Sequence, residues 1–218
     1  MRALDPSLSI IFDLDGTLVD SLPGITAAIR YALRDYNVEV NSGQLRELIG
    51  PPIREILGKL AVSASESDLI VAEREFRSAY DSTHWKEAYL FTTARETLQA
   101  LERFGVRLFL FTNKPEKAAT RILKELDLDS VFFDRMSRDS REPAFANKAE
   151  MLRELMAKHG LRAESAMVVG DSLEDFYAAQ EWGVPFVFAR YGYGRLDAED
   201  RQKAAGQIDY LSSLLTMS

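Results

Sequence analysis

The feature that most constrains this chain is an alternation of short apolar runs with helical segments, which one long all-helical stretch interrupts. The apolar runs have the β-branched and aromatic content of buried strands, and they cover residues 9–12, 106–111, 166–169 and 185–189, and more weakly 131–133. The helical segments between them cover residues 93–104, 115–126, 147–159 and 173–182. Strands that alternate with helices predict an α/β fold with a doubly wound, largely parallel sheet.

The interruption lies between the first strand and the second. No strand-like run occurs from Asp20 to about Ala88, and amphipathic segments follow one another at 23–36, 42–49, 53–60 and 66–82. A helical insert at this point of the chain is expected over the carboxyl edge of the sheet, where open α/β folds bind ligands. We therefore predict a core domain of residues 1–20 and 89–218 and a helical cap domain of residues 21–88.

Composition limits the functions that such a fold can serve. With 218 residues, of which 46% are hydrophobic, the chain can bury a sizeable core, and its net charge of −7 argues against nucleic-acid and anionic-membrane partners. The absence of cysteine excludes a thiolate nucleophile and a cysteine-ligated zinc site. Because membrane-spanning runs and a secretory signal are also missing, we expect a cytoplasmic protein, as either a monomer or a homodimer.

Acidic side chains follow two of the predicted strands. Asp13 and Asp15 come directly after the first strand, and Asp171 and Asp175 follow the strand at 166–169. Because parallel strands end at the same edge of a sheet, we expect these four carboxylates to converge. They would repel by roughly 4 kcal/mol per pair at about 4 Å and an effective dielectric of about 20, unless a cation lies among them. All-oxygen ligands favour Mg²⁺.

Two further places suit a phosphate group. Thr112 and Asn113 follow the second strong strand, and they offer a hydroxyl and backbone amides at the entry to a helix. Lys148 begins another predicted helix, where the helix dipole disfavours a cation, so that a functional partner would explain it. A solvated surface lysine is the alternative.

Four parts of the chain, in their order and spacing, resemble the motifs of the haloacid dehalogenase superfamily of aspartate-nucleophile phosphatases: FDLDGTLVDS, LFTNKP, the isolated Lys148 and VVGDSLEDFYAA. The helical insert after the first motif is similar to that of the phosphoglycolate phosphatase-like branch. The resemblance implies a Rossmann-like core with an inserted cap. It also implies a Mg²⁺-dependent phosphomonoester hydrolase that acts on a small phosphorylated metabolite, with phosphoglycolate as the first guess.

The resemblance assigns a role to each acidic residue. Asp13 would attack phosphorus to form an aspartyl-phosphate, and Asp15 would protonate the leaving oxygen and then deprotonate the attacking water. Asp13, the backbone carbonyl of Asp15 and Asp171 would hold Mg²⁺. Asp175 would support the metal through water or through Lys148.

The resemblance also assigns the residues that bind substrate. Thr112, Asn113 and Lys148 would hold the transferring phosphoryl group. Many relatives place the lysine of this motif directly before a proline, and there this chain has Arg141 and a glutamate, so Arg141 is the alternative to Lys148. Arg54 of the insert would face the rest of the substrate, although a solvated arginine is the simpler interpretation.

Other functions fit the same motifs. A sugar phosphomutase would share all four of them and would depend on a bisphosphate activator. A pyrophosphatase or a nucleotidase would differ only in what the cap admits. A dehalogenase would leave the second aspartate of the first motif without a task. A non-catalytic binding protein would not need an acid placed two residues from a nucleophile.

Overall fold

The computed structural model describes residues 7–217 of the chain. Residues 1–6, which belong to the predicted core domain and to the segment searched for a secretory signal, and residue 218 lie outside this range. The chain divides into two compact units. The core unit comprises Met1–Asp20 and Leu90–Ser218, and the insert unit comprises Ser21–Tyr89.

A six-stranded parallel sheet forms the centre of the core unit. Across the sheet the strands are β5 (Asp134–Ser137), β4 (Arg107–Thr112), β1 (Ser9–Phe12), β6 (Ala166–Gly170), β7 (Phe186–Ala189) and β8 (Gly206–Ile208). Every residue of β1 is buried, as expected of a central strand that is covered on both faces. The chain winds outward from β1 in both directions, which confirms the predicted doubly wound α/β fold.

Helices flank this sheet: α5 (Ala94–Arg103), α6 (Glu116–Glu125), α7 (Lys148–His159), α8 (Leu173–Glu181) and α9 (Ala198–Lys203). On one face, Leu155 of α7 and Phe176 of α8 are buried in a cluster with Phe109 and Phe111 of β4. Each such side chain contributes about 1.5–3 kcal/mol when it is fully buried. This packing holds α7 and α8 against the sheet.

The insert unit is helical, with α1 (Leu22–Ala32), α2 (Ser42–Leu48), α3 (Ile53–Leu60), α4 (Glu66–Ser82) and a short 3-10 helix, His84–Lys86. A capping box of Ser65 and Asp68 begins α4. In α1, a Cβ atom on Gly24 would lie 2.1 Å from the carbonyl oxygen of His84, so only glycine allows this close approach. The action of this unit as a cap stays a prediction.

The strand predicted at 131–133 is wrong, because β5 begins at Asp134. The chain is still turning at 131–133, and Phe133 is 62% exposed, its ring 5.6 Å from that of Phe109. The backbone N–H of Phe133 donates to the carbonyl of Leu108 at 2.7 Å, so the apolar run leads into β5 and does not form a strand of its own. Sequence patterns also missed α9, β8 and the two-residue strands β2 (Val19–Asp20) and β3 (Tyr89–Leu90). Within residues 7–217, no helix is long and apolar enough to cross a membrane.

Candidate active site

Three carboxylates meet at the carboxyl ends of β1 and β6. Asp13 directly follows β1, Asp171 directly follows β6, and Asp175 lies in the first turn of α8. All three are buried, and each offers an oxygen that lies within 4.8 Å of those of the other two. The two strands end side by side, because the backbone N–H of Asp13 donates to the carbonyl of Val169 at 3.0 Å. We call Asp13, Asp171 and Asp175 the carboxylate cluster.

Lys148 joins two members of this cluster. It is the first residue of α7, and Asn147 caps the helix by accepting the backbone N–H of Glu150. The Nζ atom of Lys148 donates to Oδ1 of Asp13 and to Oδ1 of Asp175, both at 2.6 Å, and its side chain is only 4% exposed. These two buried carboxylates account for a lysine at a helix start, and the contact of Lys148 with phosphate stays a prediction.

Arg141, the alternative to Lys148, is engaged elsewhere. Its guanidinium donates to the carboxylates of Glu150 and Glu154 and lies 4.2 Å from the ring centroid of Phe145. The geometry therefore favours Lys148 as the lysine of the third motif.

Burial and crowding shift the pKa values of these groups. Burial raises the pKa of Asp13 well above its usual range; Lys148 opposes this rise, and the nearby Asp175 and Asp171 add to it. Burial, followed by the charge of Asp175, raises the pKa of Asp171 to about 6. Burial alone would lower the pKa of Lys148, but the charges of Asp13 and Asp175 raise it above its ordinary value. Three buried carboxylates against one ammonium leave an excess negative charge that a divalent cation would relieve.

A glycine-containing turn holds Asp171 in place. The backbone N–H groups of Tyr193 and Gly194 donate to Oδ2 of Asp171 at 2.7 and 3.0 Å, and the hydroxyl of Thr17 donates to Oδ1 at 3.2 Å. A Cβ atom on Gly192 would lie 2.3 Å from the Cβ of Asp171, and one on Gly194 would lie 2.1 Å from its carbonyl oxygen. The sequence carries no signal that backbone amides of this turn bind an aspartate.

The predicted convergence of four carboxylates is wrong for Asp15. Both of its carboxylate oxygens accept hydrogen bonds from Nζ of Lys114, each at 3.0 Å, and Asp15 lies outside the carboxylate cluster. The alternation of side chains that would put positions 13 and 15 on one side ends with the strand at Phe12, and the chain then bends through Gly16 with a φ of 90°. Sequence analysis missed Lys114, although the lysine of the LFTNKP segment was a visible signal.

The predicted phosphate-binding residues lie at the end of β4. Thr112 is buried and its hydroxyl accepts the backbone N–H of Lys114 at 3.1 Å. The side-chain amide of Asn113 donates to the Glu174 carboxylate at 2.5 Å. Since β4 pairs in parallel with β1, this end of β4 lies at the same sheet edge as Asp13. Contact of Thr112 and Asn113 with phosphate stays a prediction.

Arg54 lies in the insert unit, at the start of α3. Its guanidinium donates to the carboxylates of Glu73 at 2.6 Å and Glu66 at 3.1 Å, and its side chain is 45% exposed. Hydrogen bonding to Glu73 raises the pKa of Arg54. A contact of Arg54 with substrate would have to compete with these two carboxylates, and it stays a prediction.

Comparison with known proteins identifies related sequences along nearly the whole chain. The family model for haloacid dehalogenase-like hydrolases matches residues 10–189. A phosphoglycolate phosphatase of Vibrio vulnificus is 33% identical, with 94% of this chain and 93% of the relative covered. The tyrosine-protein kinase PtkA of Mycobacterium tuberculosis is also 33% identical, over 98% of this chain and 75% of its own length.

Two further comparisons concern function and fold. A 5'-nucleotidase of Pseudomonas aeruginosa is 29% identical, over 96% of this chain and 93% of its own length. The crystal structure of a predicted phosphoglycolate phosphatase from Haemophilus somnus superposes with a TM-score of 0.87 at 27% identity, covering 98% of both chains.

Proposed function

Since the chain belongs to the haloacid dehalogenase-like hydrolases and is a phosphatase of that family, we propose that it hydrolyses a small phosphate monoester through an aspartyl-phosphate on Asp13. The observation that carries the proposal is the environment of Asp13. This carboxylate lies at the end of the central strand, beside two further buried carboxylates and in hydrogen-bond contact with the ammonium of Lys148. A nucleophile for a phosphate dianion needs such compensating positive charge.

The donor set of the carboxylate cluster fits Mg²⁺. Its ligand atoms are all oxygens, which hard divalent cations prefer. Burial and the neighbouring carboxylates raise the pKa of Asp13 and of Asp171, and a bound cation would favour their charged forms. We propose that Asp13, Asp171 and the backbone carbonyl of Asp15 hold the ion, and that Asp175 supports it through Lys148. When bound, the ion would offset the repulsion between the carboxylate nucleophile and the phosphate dianion.

The residues of this chain would act in two steps. An oxygen of Asp13 attacks phosphorus, the bond from phosphorus to the leaving oxygen breaks, and Asp15 gives its proton to that oxygen. Asp15 then takes a proton from a water molecule, which attacks phosphorus, so that inorganic phosphate leaves and the Asp13 carboxylate is restored. Lys148 would stabilise the phosphoryl oxygens, with Thr112 and the amides near Asn113 as further donors.

The substrate is the finer part of this proposal. Phosphoglycolate is the first candidate, because a relative with 33% identity bears the name phosphoglycolate phosphatase. A nucleoside monophosphate is the second, because another relative is named a 5'-nucleotidase. We expect the insert unit to act as a cap that excludes bulk water and selects the leaving group. The cytoplasmic location also stays a prediction.

Phosphate release from a panel of small phosphate compounds tests this proposal. The panel contains phosphoglycolate, sugar phosphates, nucleoside monophosphates, pyrophosphate and ATP, each with Mg²⁺ and with EDTA. We expect Mg²⁺-dependent release from a monoester, with phosphoglycolate foremost. If the folded protein releases no phosphate from any of them, the proposed function is wrong. Conversion of a sugar phosphate into its isomer would instead identify a mutase.

A further inference from the structure

We infer that Lys114 is the positioning residue for the acid–base carboxyl of Asp15, an inference that rests on the proposed function. Its Nζ atom lies 3.0 Å from both carboxylate oxygens of Asp15. The Lys114 side chain is 5% exposed and that of Asp15 is 18% exposed. Nothing in the catalytic steps above uses Lys114, yet it is one of the few buried ammonium groups in the part of the chain that the structure describes.

In the described part of the core unit, the buried lysines Lys148 and Lys114 contact different carboxylates. Lys148 contacts Asp13 and Asp175, which belong to the carboxylate cluster. Lys114 contacts Asp15, which lies two residues from Asp13 along the chain but outside that cluster. Without its contact with Lys114, the Asp15 carboxylate could turn toward the cation that the cluster would hold. Lys114 therefore keeps one carboxyl group apart from the metal ligands and available to the leaving group.

Two constraints hold the backbone at Lys114, and neither depends on the contact of its side chain with Asp15. Its N–H donates to the buried hydroxyl of Thr112 at 3.1 Å, and Pro115 follows with a φ of −56° that the ring restricts. A long, flexible lysine side chain thus starts from an anchored point between β4 and α6. Such anchoring gives the ammonium a defined position, as the orientation of a proton donor requires.

A residue that acts through Asp15 affects only substrates that need the proton of Asp15. An alkyl phosphate ester has a poor leaving group, which must be protonated as it departs. The 4-nitrophenolate ion leaves without a proton, because its charge is delocalised over the ring. The parameter kcat/KM reports the steps up to leaving-group departure, so it separates this effect from hydrolysis of the aspartyl-phosphate.

The test compares the wild-type protein with Lys114→Gln, Asp15→Asn and the double variant, on phosphoglycolate and on 4-nitrophenyl phosphate. We expect Lys114→Gln to lower kcat/KM about 100-fold for phosphoglycolate and by less than about threefold for 4-nitrophenyl phosphate. In the Asp15→Asn background the same substitution should cause no further loss on phosphoglycolate, because Lys114 acts through Asp15. Lys117→Gln, which changes an exposed lysine three residues away, is the matched control.

Each of the other outcomes overturns either the positioning role of Lys114 or the proposed function. Equal losses on both esters, or losses that add in the double variant, would overturn the positioning role and leave the proposed function intact. A Lys114→Gln chain that no longer folds would show that Lys114 is a structural counter-charge, which also overturns the inference. If the wild-type protein hydrolyses no ester of the panel, the proposed function fails first; if it prefers another alkyl ester to phosphoglycolate, that ester replaces phosphoglycolate in the comparison.

Discussion

An ion-pair network in the core unit and one in the insert unit have similar components in opposite environments. In the core unit, Lys148 bridges two aspartates, and all three side chains are at most 6% exposed. In the insert unit, Arg54 bridges two glutamates, and its own side chain is 45% exposed. Removing charges from water costs several kcal/mol per ion, whereas exposed pairs contribute little. The buried network is therefore the one whose cost calls for a functional explanation.

Removal of the Lys148 ammonium should give the largest loss of stability among the changes considered. We expect Lys148→Met to lower the free energy of unfolding by about 3–5 kcal/mol at neutral pH without metal, because Asp13 and Asp175 are left buried without their cation. Urea unfolding followed by circular dichroism measures this change. Lys203→Met is the control, since Lys203 pairs with Glu199 at the surface, its side chain 50% exposed. A loss no greater than that of the control would contradict the account.

The next largest change in stability should come from the titration of Asp171 in the metal-free protein. The pKa of Asp171 rises from 3.8 to about 6 on folding, so the folded state holds this proton more tightly than the unfolded state. The stabilising contribution is therefore complete below the ordinary pKa and is lost as the pH rises through about 6. A change of this size corresponds to about 3 kcal/mol.

Thermal unfolding in EDTA between about pH 4 and 7 tests whether stability falls as the pH rises. Because other groups titrate in the same window, the informative quantity is the difference between the wild-type protein and Asp171→Asn. We expect the wild-type protein to lose stability relative to the variant as the pH rises, and saturating Mg²⁺ to remove that loss. A difference that is independent of pH would show that Asp171 is not held as described.

Disruption of the exposed network around Arg54 should change stability least. We expect Arg54→Ala to leave the urea midpoint unchanged within error, because water replaces the contacts with Glu66 and Glu73. A rise in KM for phosphoglycolate at an unchanged midpoint would confirm the predicted contact of Arg54 with substrate. A stability loss as large as that of Lys148→Met would erase the difference between the two units.

Local patterns were sufficient for much of the fold. The central strand and the helices α3 and α4 have the predicted bounds, because an apolar run or an amphipathic period decides each of them. The edge of the sheet was less predictable. The apolar run at 131–133 precedes the strand, and the more polar segment Asp134–Ser137 pairs with β4, so hydrophobicity alone misplaces this strand.

The candidate site was predictable where strand ends determine it. Asp13 and Asp171 follow adjacent parallel strands, so their proximity follows from the sheet order. The contact of Asp15 with Lys114 was harder to predict, because β1 and β4 are adjacent but the orientation of Asp15 depends on a bend after the strand. The amides of the turn at Tyr193 that hold Asp171 leave no mark in a sequence either, since every residue but proline has a backbone N–H.

Phosphate release by the Asp13→Asn variant tests the central claim most directly. The comparison uses the wild-type protein, Asp13→Asn and Asp35→Asn, whose aspartate is 78% exposed in the insert unit, on the best ester of the panel with Mg²⁺ and with EDTA. We predict that Asp13→Asn lowers the rate by at least about 10³-fold, that EDTA abolishes the wild-type rate, and that Asp35→Asn behaves as the wild-type protein does. Appreciable turnover by folded Asp13→Asn would contradict the account.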